Sequence, residues 1–151
     1  NFRNQENNMA HAEGKVTIEK PVQLVFEFIL DGANNPLWRP SVVDINSMSE
    51  KPYGVGSVFK QGLKGPGGRI DGDYRITECK PNEVIKFEVI AGPARPTGVY
   101  HFESDGKSTT VTFVLDFQPK GLAKLMGPMI QSSMKGEVGT LANLKAYLES
   151  H

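Results

Sequence analysis

Between Ser41 and Gln118 the apolar residues recur at every second position, and from Gly121 onward they recur every three or four. That change of period restricts the chain to a sheet with one dry face, followed by a helix able to cover it. The alternating residues are Val43 and Ile45; Phe59, Gln61 and Leu63; Tyr74 and Ile76; Ile85, Phe87 and Val89; Tyr100 and Phe102; and Val111, Phe113, Leu115 and Phe117. The residues between them in the later runs are charged or polar, among them Arg75, Lys86, Glu88, Glu103, Thr110, Thr112 and Asp116. Such alternation is the mark of antiparallel strands with one wet side. Pro-Gly and Asp-Gly clusters separate the runs, at Lys51–Gly54, Gly65–Gly68, Lys80–Glu83, Gly92-Pro93 and Ser104–Lys107.

Ahead of this block, Val16 and Ile18 belong to a short first strand. Pro21 then opens a helix whose apolar face is Val22, Val25, Phe26 and Ile29. Asn34–Pro40 is a turn or a very short second helix bounded by prolines. At the other end, Met126, Ile130, Met134, Val138, Leu141, Leu144 and Leu148 share one face of a helix running from Gly121 to Glu149. Gly127-Pro128 inside it predicts a kink, or a short helix followed by a long one, because proline removes a ladder bond and clashes with the preceding turn. A sheet with one apolar face must be covered. The terminal helix is the only element long enough to do it. The expected fold is α+β: a curved seven-stranded antiparallel sheet around a long, kinked C-terminal helix, with two short helices after the first strand.

The chain has 151 residues, enough for one domain with a core that removes roughly 70% of the unfolded surface from water. Residues 11–150 are expected to form it. Residues 1–10 read as a polar tail, disordered or not native, with Met9 a candidate start. Seventeen basic and seventeen acidic residues cancel, which leaves no electrostatic footprint for nucleic acid. No apolar run approaches the length of a membrane span. The single cysteine, Cys79, excludes an intrachain disulfide and points to a reducing, cytoplasmic setting. Three scattered histidines and one cysteine offer no ligand set of recognisable spacing, so neither a metal nor another cofactor is expected. Ser132 and Ser133 lie in no Gly-x-Ser-x-Gly turn, and Gly65–Gly68 lacks the Gly-Lys-Ser/Thr ending of a phosphate loop.

Four segments, in this order and spacing, carry a family likeness: Pro21-Val22 through Phe26; Asn35-Pro36-Leu37-Trp38-Arg39-Pro40; Gly54-Val55-Gly56-Ser57-Val58-Phe59; and Phe117-Gln118-Pro119-Lys120-Gly121-Leu122 followed by Leu141–Leu148. From about Gly14 to Ser150 the chain resembles the polyketide cyclase/dehydrase and lipid-transport superfamily, the START-related helix-grip domains that include the birch-allergen-like proteins. The resemblance implies a helix-grip fold with an internal cavity between sheet and long helix. It does not imply one activity, since members include aromatases, lipid carriers, hormone receptors and co-chaperones.

Parity places the entrance. In a meander every second connection lies at the same end, which groups Gly62–Gly68, Ala91–Thr97 and Gln118–Gly121. A Gly-rich rim beside the methionines Met126 and Met129 would make a gate, since thioethers adapt to varied apolar shapes; the plainer reading of Gly65–Gly68 is a hairpin tip. The candidate ligand-binding residues are Trp38, Phe59, Tyr74, Phe87, Tyr100, Phe102, Phe113, Met126, Met129, Ile130, Met134 and Glu137. About half of the aromatic residues among them are expected to be ordinary core. Tyr74 and Tyr100 stand out because a buried phenol needs a partner, which a guest oxygen can supply.

Glu137 is the anomaly, a carboxylate on the apolar helix face with Gly136 and Gly139 beside it. Two readings stand: a polar anchor or acid/base inside the cavity, or a carboxylate satisfied by an arginine or water at the closed end. Arg39 and Arg95 could meet an anionic group, although such arginines more often pair with surface carboxylates. His101 falls on the outer, wet face. The expected function is binding or carriage of a small hydrophobic or amphipathic molecule. The alternatives are a polyketide-type cyclase, aromatase or dehydratase using Glu137, Tyr74 and Tyr100, and a co-chaperone-like interaction module. Carriage leads because no convergent pair of titratable groups is visible.

Overall fold

Strict alternation builds the clearest strand. Along β8 (Thr109–Phe117) the side chains of Thr109, Val111, Phe113 and Leu115 are buried and those between them are half-buried. The computed structural model describes residues 9–119 and 127–151. The chain enters through β1 (Ala10–Ile18), passes α1 (Val22–Leu30) and a 3-10 helix (Gly32–Leu37), and continues into β2 (Val42–Ser47) and β3 (Val58–Gly65). There follow β4 (Gly68–Asp71), β5 (Tyr74–Lys80), β6 (Val84–Val89), β7 (Thr97–Ser104), β8, α2 (Gly127–Gly139) and α3 (Leu141–Glu149). β1 begins at Ala10, one residue inside the stretch expected as tail, because Ala10 pairs with Phe117.

The strands form a curved antiparallel sheet in the order β1-β8-β7-β6-β5-β3-β2, seven strands on one path. The first strand closes against the last, so α1 and the 3-10 helix cross one end of the sheet between β1 and β2. β4 is an addition to the expected set. It pairs only with β3, and a two-residue turn at Pro66-Gly67 joins them, with Gly65 opposite Gly68. The glycine-rich segment is therefore the tip of an ordered hairpin, too short at four residues to register as a period.

Two other differences have local causes. Val43, expected on the inner face, is 47% exposed, whereas Val42 is buried. The β2–β3 register shifts between Val42 and Asp44, and a bulge reverses which parity faces inward. The terminal helix is interrupted at Gly139-Thr140. The kink expected at Gly127-Pro128 turns on residues 121–126, which lie outside the described residues. At the interruption the carbonyl of Glu137 accepts from the Thr140 backbone N–H at 3.1 Å and from its Oγ1 at 2.5 Å. A three-residue closure replaces the four-residue ladder.

Both helices lie against the edge of the sheet where β1 and β8 pair. Gly14 of β1 makes this possible, since a Cβ there would stand 2.8 Å from the Val138 carbonyl oxygen. Val138, Leu141, Leu144 and Leu148 enter one core with Ile18, Val25, Phe26 and Phe102. Phe26 meets Phe102 edge-on at 5.2 Å. Lys145 Nζ donates to the Thr17 carbonyl at 2.6 Å, and Glu149 accepts from the Glu19 N–H at 2.8 Å, fastening α3 to β1. No described helix is long and apolar enough to cross a membrane.

Candidate functional site

On α2, Ile130, Ser133, Met134 and Glu137 are spaced i, i+3, i+4 and i+7 and so face one way. Opposite them stand Phe87, Val89 and Leu115 from the inner sheet face, and between the two layers lies a cavity of about 140 Å³. Leu63, Ile70 and Asp71 of the β3–β4 hairpin and Ala94 and Pro96 of the β6–β7 loop form its rim. These are two of the three connections that parity groups at one end; half of the third, Gln118–Gly121, lies outside the described residues, which stop at residue 119 and resume at 127.

The inner end is polar. Asp31 caps the 3-10 helix by accepting from the Ala33 N–H. That helix presents Asn35 to the interior, and Arg39, just past its end, follows four residues later. Arg39 Nη2 lies 2.9 Å and Nε 3.0 Å from Glu137 Oε2, while Ser41 Oγ donates to Glu137 Oε1. The Arg39 and Glu137 side chains are 9% and 17% exposed, so the pair is largely withdrawn from water. Burial is the largest single influence and works against the Arg39 charge, but the Glu137 carboxylate and the Tyr100 and Tyr74 phenols together hold the pKa above its ordinary value.

A second, smaller void of about 20 Å³ lies behind Arg39 and Phe87, bounded by Asn35, Tyr74, Ile76, Ile85 and Tyr100. It has room for one water molecule. Asn35 Nδ2 donates to Gln61 Oε1 at 3.0 Å and to the Tyr74 hydroxyl at 3.1 Å, and Gln61 Nε2 donates to the Gly72 carbonyl at 3.3 Å. Burial pushes the Tyr74 phenol up to about 12 against the opposing pull of the Asn35 donor. Tyr100 is raised as well, again by burial. Both phenols are therefore protonated donors at neutral pH. The Tyr100 hydroxyl has no hydrogen-bond partner among the described residues.

Of the candidate binding residues, Phe87, Ile130, Met134 and Glu137 line the larger cavity, and Tyr74, Phe87 and Tyr100 line the smaller. Trp38, Phe59, Phe102 and Phe113 do not reach either. Phe59 stacks on Tyr74 at 5.2 Å, Phe113 stacks on Tyr100 at 4.3 Å, and Trp38 meets Tyr100 and Phe113 edge-on, so these rings form the wall behind the lining. The Trp38 indole N–H is buried without a partner among the described residues. Met129 is 56% exposed, because a step of one residue from Ile130 turns it about 100° around the helix, out of the cavity. Met126 lies outside the described residues.

Arg39, Gln61 and Asn35 are the polar lining residues that the sequence under-reports. Gln61 carried a signal, as a polar residue in an inward-facing slot between Phe59 and Leu63. Arg39 is a buried partner rather than a surface one, and Arg95 folds onto its own loop, donating to the Gly92 carbonyl at 3.2 Å. His101 is exposed on the outer face. Among the described residues no group of three or more His, Cys, Asp or Glu side chains is placed to hold a metal ion. A wider hollow of about 1000 Å³ between α1 and Lys51–Tyr53 opens to solvent and holds none of these groups.

The family model described as polyketide cyclase / dehydrase and lipid transport matches residues 9–149, nearly the whole chain. The chain belongs to this family. No curated protein matches it. Among solved structures it is similar to a START superfamily protein from Mycobacterium smegmatis, with a TM-score of 0.76 at 14% identity, covering 93% of this chain and 97% of that one. It is also similar to the Zhui aromatase/cyclase of Streptomyces sp. R1128, with a TM-score of 0.72 at 16% identity over 94% and 92% of the two chains. Ara h 8.0201 matches with a TM-score of 0.72 at 17% identity over 95% and 99%. These likenesses are of fold. The chain has a helix-grip architecture, a curved antiparallel sheet with the terminal helices against it.

Proposed function

We propose that this chain binds and carries a small hydrophobic or amphipathic molecule in the cavity between the inner sheet face and α2. The observation that carries the reading is the character of the lining: Leu63, Ile70, Phe87, Val89, Leu115, Ile130 and Met134 are apolar, Gln61, Asp71 and Ser133 are polar, and the buried Arg39–Glu137 pair is internally neutralised. Apolar walls with a few placed polar groups are what small-molecule sites offer. A cavity near 140 Å³ matches one aromatic ring. A longer guest requires the β3–β4 hairpin or the β6–β7 loop to give way.

Carriage is favoured over catalysis because Glu137 is already committed. A general acid or base must exchange a proton with its substrate. Here Oε2 faces Arg39 and Oε1 accepts from Ser41. A cyclase or dehydratase is the second reading, favoured by the convergence of Arg39, Tyr74 and Tyr100 on the inner void, where three donors could polarise a carbonyl.

Native mass spectrometry of the purified chain, with displacement of an environment-sensitive apolar dye, tests the first reading. A copurifying small molecule, or saturable dye uptake lost on enlarging Met134 to Trp, is the expected result. Dye uptake unaffected by that substitution would overturn it. Turnover of a poly-β-ketone abolished by Glu137→Gln with dye binding intact would establish the second.

A further inference from the structure

The Arg39–Glu137 pair has a consequence for which guests the cavity takes. Arg39 has five N–H donors. Two of its nitrogens are engaged by Glu137 Oε2, and Nη1 has no partner among the described residues. Arg39 lines both voids, so it stands where the large cavity meets the small one, beside the unpartnered Tyr100 hydroxyl. The inner end thus offers donors but no net charge. A carboxylate guest drawn to Arg39 would lie close to the Glu137 carboxylate, and like charges repel strongly where water is excluded. A neutral acceptor oxygen meets no such opposition.

We propose that Glu137 is a specificity residue: by neutralising Arg39 it makes the cavity select ring-sized neutral molecules bearing an acceptor oxygen, such as aryl ketones, over carboxylates of the same shape. This rests on the cavity reading above. It assigns Glu137 a role that involves no proton transfer, and it explains the placement of a buried ion pair at the end of an apolar chamber. Repulsion of the wrong guest is a recognised route to specificity.

Three near-isosteric probes, acetophenone, benzoate and ethylbenzene, separate the possibilities by calorimetric titration at pH 7. In the wild-type chain acetophenone is expected to bind at least about tenfold more tightly than benzoate, and more tightly than ethylbenzene. Glu137→Gln preserves shape and removes the negative charge. Benzoate should then gain about tenfold or more, while acetophenone changes by less than about threefold. The double substitution Arg39→Met with Glu137→Leu, which leaves no unpaired buried charge, should bind acetophenone and ethylbenzene alike and still reject benzoate. It keeps the test open should Glu137→Gln not fold.

Benzoate binding as well as acetophenone in the wild type, or an unchanged ratio in Glu137→Gln, would overturn the selectivity while leaving the cavity in place. An oxygen preference surviving in the double variant would overturn it too. Failure of all three probes, ethylbenzene included, would remove the cavity reading itself and the selectivity with it.

Discussion

The backbone of Gly92 runs so close to that of Asp71 that a Cβ at position 92 would stand 1.9 Å from the Asp71 carbonyl oxygen. The β6–β7 loop and the β4 hairpin therefore meet main chain to main chain at the rim of the cavity. Gly92 also has a φ of 92°, in the region that favours glycine. Gly92→Ala must separate the two loops or distort one of them. The expected cost is about 1–3 kcal/mol in urea unfolding. Faster dye exchange should accompany it, since the same change loosens the rim.

Removing one member of the buried pair should hurt more than removing both. Arg39→Met strands the Glu137 carboxylate and is expected to cost about 3–5 kcal/mol. Arg39→Met with Glu137→Leu replaces the pair by apolar groups and should fall within about 2 kcal/mol of the wild type. Urea midpoints of the wild type, single and double variants check this. A double variant no more stable than the single would mean that the pair has other buried partners.

Leu144 is fully buried beneath α3. Leu144→Ala removes three heavy atoms from a packed site and should destabilise the chain by about 2–5 kcal/mol, depending on how far the neighbours close in. Its effect on the affinity of a bound dye should be small by comparison, because Leu144 is absent from the cavity wall.

Alkaline pH reports on the inner void. Tyr74 releases its proton near 10.0 in the unfolded chain but only at about 12 when folded, so the folded state holds more protons between those values. Stability is then fully present below about pH 10 and falls by about 1.4 kcal/mol per pH unit as pH rises toward 12. Tyr100 acts in the same direction. Urea midpoints from pH 8 upward should show the decline, and Tyr74→Phe should make it shallower. Absorbance near 295 nm should show the corresponding late-ionising phenol.

Much of the fold was legible because antiparallel parity is a short-range rule. Phe59, Tyr74, Phe87, Tyr100 and Phe113 face inward as the alternation requires, and the same rule brought the β3–β4 and β6–β7 connections to one end. It failed at Val43, where a bulge adds a residue, and at β4, where four residues are too few to show a period. The break at Thr140 left no trace in the apolar pattern, since Val138, Leu141, Leu144 and Leu148 continue at helical spacing through it. The site was legible in its apolar half only. Glu137 was conspicuous as a charge on an apolar face, but its partner lies ninety-eight residues earlier in a segment that reads as a turn. Which residues line a void and which stand behind it, as Phe59 and Phe113 do, depends on curvature, and no local period encodes that.

The interrupted ladder at Thr140 divides the labour of the terminal segment. α3 is anchored by Leu141, Leu144 and Leu148 and by its ties to Thr17 and Glu19, whereas α2 roofs the hollow. With the Glu137 carbonyl already satisfied by Thr140, tilting the roof breaks no continuous run of backbone bonds. α2 is nonetheless clasped to β1, where Gln131 exchanges hydrogen bonds with the His11 main chain, so lifting the ceiling would have to undo that clasp while the footing at α3 keeps its own.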